Sequence, residues 1–221
     1  MHKHFNHHYH PRGKNMLAFS YNAQDLYTAL TEIAKFRTKD KTLPILQDVM
    51  ITLDKDAAGM WLTATDRFKV LSAYIGESRE WKPLPEHTAV HGISPTQLQV
   101  ILAHLKGMGV AGRKRSTVHI AVVDEERNTL SWGIITEETG AVEIYLADPS
   151  EVSYPQLRQL VNPVVEFETH TLVSLDHFGG AKFLGMAFSA EQSQGRPQLI
   201  KAVEGRTNIP FIGLVMPIRL P

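Results

Sequence analysis

Three short stretches carry residue types that could do chemistry, and each fails on spacing or on partners. "GMGVAGRK" (107–114) sets Gly107 and Gly112 at the interval of a phosphate-binding loop. In such a loop backbone N–H groups cradle the phosphates, a lysine reaches the terminal ones and a hydroxyl holds magnesium. Here Arg113 occupies the lysine position, Lys114 the hydroxyl position, and the stretch follows a helical pattern rather than a strand. "TATD" offers Asp66 without a second acid or a histidine, so no proton-transfer pair is formed. "DHFGG" (176–180) reads as the glycine stop of a helix. Residues 1–15 carry five of the eleven histidines, which could capture zinc, copper or nickel, but they show no apolar period and read as a disordered leader or tag. The chain is therefore read as a non-enzyme, with no catalytic residue, metal or cofactor assigned.

Charge gives a second kind of chemistry. The 23 basic and 23 acidic residues cancel, so contact with a polyanion must come from local placement. Lys35, Arg37, Lys39 and Lys41 follow one predicted helix, and Lys106, Arg113, Lys114 and Arg115 end a second. Lys182 follows a third, and no acidic residue occurs between Ser94 and Arg115. Such a surface suits sequence-independent attraction to phosphates, although single lysines at helix C-termini also serve the helix dipole. The chain has no cysteine, which fits a reducing, cytoplasmic setting.

The elements that must position these residues repeat. "MLAFSY" predicts a strand and 23–36 a helix, with Asn22 as N-cap and Leu26, Leu30 and Ile33 on one face. After Pro44, "ILQDVMITL", "MWLTATD" and "FKVLSAYI" predict three strands. The order returns with "TAVHGI", a helix started by Ser94, Pro95 and Gln97 and ended by Gly107, and the strands "TVHIAVV", "TLSWGIIT" and "AVEIYLA". Beyond the connector "DPSEVSYPQLRQLVNP" it returns again, with the strand "VVEFET", a short helix at 171–178 and the strands "LGMAFSA", "PQLIKAV" and "FIGLVMPIRL". This predicts an α+β fold of three βαβββ units, at 16–76, 87–147 and 164–220. The first two make a layered domain spanning 16–147, with a connector at 148–163 and a half-domain at 164–221. The third unit is expected to lack a partner within the chain, so its edge strand predicts self-association.

The arrangement resembles the bacterial DNA polymerase III beta sliding clamp family. The resemblance rests on "TLPILQDVMITL" (42–53), "LTATDRFKVLSAYI" (62–75), the connector "SYPQLRQLVNP" and the terminal "GLVMPIRL" (213–220), in that order along residues 16–220. It implies a DNA clamp fold of about one and a half clamp domains, shorter than the three domains of the family. It further implies a processivity factor that encircles duplex DNA and tethers a polymerase, contacting polymerase and clamp-loader peptides. With about twelve such units per ring, four chains of three units would close it by cyclic symmetry, or three chains of two compressed domains. A clamp-fold interaction protein that closes no ring and binds replication partners or a host clamp is the alternative.

By the resemblance, the partner-peptide pocket maps to Thr65, Arg67, Phe68, Val70, Leu214, Met216 and Pro217. Arg67 departs from the glycine of the family pattern "ATDGHRL", and Phe68 and Lys69 replace its His-Arg pair. The DNA-facing residues would be Lys35, Arg37, Lys39, Lys41, Lys106, Arg113, Lys114, Arg115 and Lys182. An apolar groove holding a pliable methionine suits many short peptides.

Overall fold

Asn22 closes strand β1 (Ala18–Asn22) in an extended conformation, and its Oδ1 accepts from the backbone N–H groups of Gln24 and Asp25 at 2.9 and 3.2 Å. Two otherwise orphaned donors are thereby satisfied, and helix α1 (Ala23–Ile33) starts where the sequence predicts. Leu26, Leu30 and Ile33 are fully buried along one stripe. The helix then tightens into a 3₁₀ turn over Ala34–Phe36. The computed structural model describes residues 18–54, 59–76, 82, 84, 90–107, 117–124, 129–136, 140–145, 155, 157, 159, 172–174, 183–187, 198–202 and 207–215.

A first meander follows: β2 (Val49–Asp54), β3 (Gly59–Thr65) and β4 (Lys69–Ile75). The strand expected from residue 45 begins only at Val49, because Pro44–Gln47 form a 3₁₀ turn with the proline at its first position. Strand β5 (Val90–Ile93) leads to α2 (Pro95–Gly107). Its capping box is complete: the Ser94 N–H donates to Gln97 Oε1 at 2.8 Å and the Gln97 N–H to Ser94 Oγ at 3.3 Å. A second meander comprises β6 (Thr117–Asp124), β7 (Thr129–Thr136) and β8 (Gly140–Tyr145). The third comprises β10 (Leu184–Ala187), β11 (Gln198–Ala202) and β12 (Phe211–Val215), preceded by β9 (Leu172–Ser174).

Strand exchange interlocks the first two units. β1 pairs with β6 of the second meander in a sheet ordered β1-β6-β7-β8, while β5 pairs with β2 of the first. The other sheet has eight strands in the order β5-β2-β3-β4-β12-β11-β10-β9. Two expectations are corrected there. Leu172–Ser174 is a strand where a helix was expected over 171–178: it pairs antiparallel with β10, and its β-branched Val173 suits a ladder better than an isolated short helix. The third unit also has a partner within the chain, because β12 lies antiparallel to β4 and occupies that edge. The strand "VVEFET" lies outside the described residues.

Helix α1 covers one face of the large sheet, and α2 packs against α1. Leu26, Leu30 and Ile33 of α1 and Leu98, Ile101 and Leu105 of α2 share one buried cluster with Ile51, Leu62, Leu71, Ile200 and Phe211. On the opposite face Met50, Trp61, Val70, Tyr74, Leu199 and Ile212 are covered by Leu84 and Leu157. Both sides of the first meander are thus buried, so Met50 and Thr52 are as inaccessible as Val49 and Ile51. The simple alternation of the sequence understates this burial. No helix among the described residues is long and apolar enough to cross a membrane.

Candidate partner-binding site

The β3–β4 turn is built by two side chains that replace missing backbone partners. Asp66 Oδ1 accepts from the N–H groups of Phe68 and Lys69, both at 3.0 Å. Thr65 Oγ1 donates to the Lys69 carbonyl at 2.8 Å and accepts from the Arg67 N–H at 3.3 Å. Asp66, the lone carboxylate of "TATD", is thereby committed to turn geometry. Arg67 sits at φ 81°, the left-handed region that side chains avoid. This is the position at which the resemblance expects glycine, the residue that suits such a backbone, and here it carries a cation.

Around this turn the two residue sets expected from the sequence meet. Arg67 Nη2 lies 3.9 Å from Asp40 Oδ2, in the segment that bears Lys39 and Lys41. Lys69 Nζ donates to the Lys35 carbonyl at 3.2 Å, approaches Asp66 Oδ2 at 3.6 Å and lies 5.1 Å from the centre of the Phe36 ring. Lys35 pairs with the buried Glu32 at 2.7 Å. Hydrogen bonds from the Thr42 hydroxyl and N–H hold the Asp40 carboxyl below the usual carboxylate range, and Arg67 adds to this. Arg37 is spent within the fold: Nη1 donates to the Gln47 carbonyl at 3.0 Å and Nε to the Ala34 carbonyl at 3.3 Å. Burial lowers its pKa, and Asp48 partly offsets that. Lys39, Lys41 and Lys106 are exposed.

The apolar half of the site lies across the β4–β12 joint. Val70 stands opposite Leu214, and Lys69 opposite Val215. Val70 is buried and Leu214 half-buried, both on the face opposite the helices. Gly213 makes the joint possible, because a Cβ there would collide with the Val70 carbonyl oxygen. At the rim Phe68 is 63% exposed, an unusual state for a phenyl ring. Thr65, Arg67, Phe68, Val70 and Leu214 are therefore brought to one end of β4 and β12. Met216, Pro217, Arg113, Lys114, Arg115 and Lys182 lie outside the described residues.

Sequence reasoning missed Leu157 and Leu199, which share a buried cluster with Val70, and Asp40, which meets Arg67. Leu157 lay in the connector "SYPQLRQLVNP", whose turn is marked by the Leu157 N–H donating to the Pro155 carbonyl at 2.9 Å. That connector was visible, but its destination was not.

The fold is clamp-like, similar to that of DNA polymerase III beta sliding clamps. Among solved structures it is similar to DNA polymerase III subunit beta from Borrelia burgdorferi in complex with a natural product, with a TM-score of 0.58 and 12% identity, covering 93% of this chain and 65% of that one. It is equally similar to the sliding clamp of Bartonella birtlesii bound to griselimycin, with a TM-score of 0.58 and 12% identity over 96% of this chain and 68% of that one. The chain thus spans about two thirds of their length. No protein-family model matches the sequence. No curated protein matches it either.

Proposed function

We propose that the protein is a sliding clamp that encircles duplex DNA and tethers a replicative polymerase, holding partner peptides in the pocket at the β4–β12 joint. The observation that supports this most is the register that sets Val70 opposite Leu214 inside a clamp fold, next to the exposed Phe68. In this reading an apolar anchor of the partner packs on Phe68, Val70 and Leu214, with Met216 and Pro217 completing the wall, and contributes about 1.5–3 kcal/mol per buried side chain. The duplex is held without sequence preference by Lys106, Arg113, Lys114, Arg115 and Lys182, together with Lys35, Lys39 and Lys41, whereas Arg37, expected in this set from the sequence, is engaged by the Ala34 and Gln47 carbonyls. Closure of the ring requires self-association, as a tetramer or a trimer.

Topology separates a ring from a merely basic surface. Protein assembled on a nicked circular plasmid is expected to stay bound through a high-salt wash and to be released when the plasmid is linearised, with a tetrameric or trimeric mass by light scattering. A monomer at micromolar concentration, or equal retention on linear and circular DNA, would overturn the ring.

A further inference from the structure

Resting on that reading of the pocket, the structure also says what kind of segment fits its rim. Four facts converge on the β3–β4 turn. Phe68, 63% exposed, offers a bare phenyl ring on the turn that leads into the buried Val70. The neighbouring acids already have partners: Asp66 accepts two backbone N–H groups, and Asp40 accepts from Thr42 and faces Arg67. The Arg67 side chain is nevertheless 58% exposed, and its 3.9 Å approach to Asp40 is a loose one. Lys39 and Lys41, exposed on either side of Asp40, add cations that engage no acid among the described side-chain contacts.

We infer that this rim selects a partner segment in which an aromatic residue stands next to acidic ones. Its apolar anchor seats on Val70 and Leu214, its aromatic ring packs on Phe68, and its carboxylates run past the rim toward Arg67, Lys39 and Lys41. An exposed ring gains most from another ring, which fills area without demanding hydrogen bonds. Exposed cations reward carboxylates modestly, and the reward is screened by salt. Lys39 and Lys41 thereby serve the partner as well as, or in place of, the duplex.

Short labelled peptides with a leucine anchor and a phenylalanine, ending in paired aspartates or in paired asparagines, test this by fluorescence anisotropy. The aspartate peptide is expected to bind roughly fivefold tighter at low ionic strength, with the ratio falling toward one in high salt. The ratio should also collapse in an Arg67→Gly, Lys39→Gln, Lys41→Gln protein, in which glycine suits the left-handed backbone. Phe68→Ser, at an exposed site, should weaken the phenylalanine peptide several-fold more than one with alanine in its place. Equal binding of the aspartate and asparagine peptides would overturn this inference and leave the pocket standing. A ratio that survives the triple substitution, or one that is unchanged while binding to a short duplex is lost, would place the three cations on DNA instead. If neither peptide binds folded protein, the pocket itself is rejected.

Discussion

The two faces of the eight-stranded sheet are both apolar, yet they are covered in different ways. Helix α1, with α2 packed against it, covers one face, and the six stripe residues of the two helices are all buried. On the other face the described cover includes Leu84 and Leu157, and at its end Leu214 stays half-buried. At that end the buried Val70 meets the half-buried Leu214 next to the turn that carries the exposed Phe68, and this end of an otherwise buried face is the candidate docking surface.

The strongest way to break this contrast is to part the strands on which both faces depend. Gly213→Val would force a side chain into the Val70 carbonyl, and a loss of about 4 kcal/mol or more is expected by chemical denaturation. Leu30→Ala on the helix face should cost about 3 kcal/mol, since the surrounding core cannot close the cavity. Leu214→Ala should cost under about 1 kcal/mol, because its side chain is already partly in solvent. The same change should abolish measurable binding of an apolar peptide. A Leu214→Ala loss as large as that of Leu30→Ala would erase the distinction between the faces.

Two smaller effects sharpen the turn. Arg67→Gly should stabilise the fold by about 1 kcal/mol, by relieving the left-handed backbone. The Asp40 carboxyl should titrate below its unfolded value of about 3.9 in an NMR titration. Because its folded pKa is depressed, its contribution to stability is present above the unfolded pKa and is lost as pH falls through the folded one. Thr42→Val, which deletes the hydroxyl donor, should move that titration upward.

What the sequence made legible was local. The Asn22 cap and the Ser94–Gln97 box act over a few residues, so types and spacing announce them, and both form as read. Periodicity likewise located α1, α2 and most strand cores. Two things were hidden for physical reasons. Residues 171–178 carry too few turns to distinguish a helix from a strand, so the edge of β10 decides the outcome at Leu172–Ser174. The pairing of β12 with β4 links residues far apart in the chain, and nothing local marks it except Gly213. The family resemblance placed Thr65–Val70 and Leu214 in one site. Only the register showed Val70 meeting Leu214, and only the coordinates brought Arg67 to Asp40.

The β4–β12 joint also sets a schedule. Strand β4 is complete at Ile75, but its partner edge is not satisfied until Val215 exists. At ordinary translation rates the intervening stretch of about 140 residues takes on the order of ten seconds or more to synthesise. Throughout that interval a nascent chain presents an unpaired row of backbone groups from Lys69 to Tyr74, next to apolar side chains that later become core. The last described strand to leave the ribosome is therefore the one that closes this edge. Crowded synthesis, with many half-made chains on one message, is the condition under which this protein would most need a chaperone.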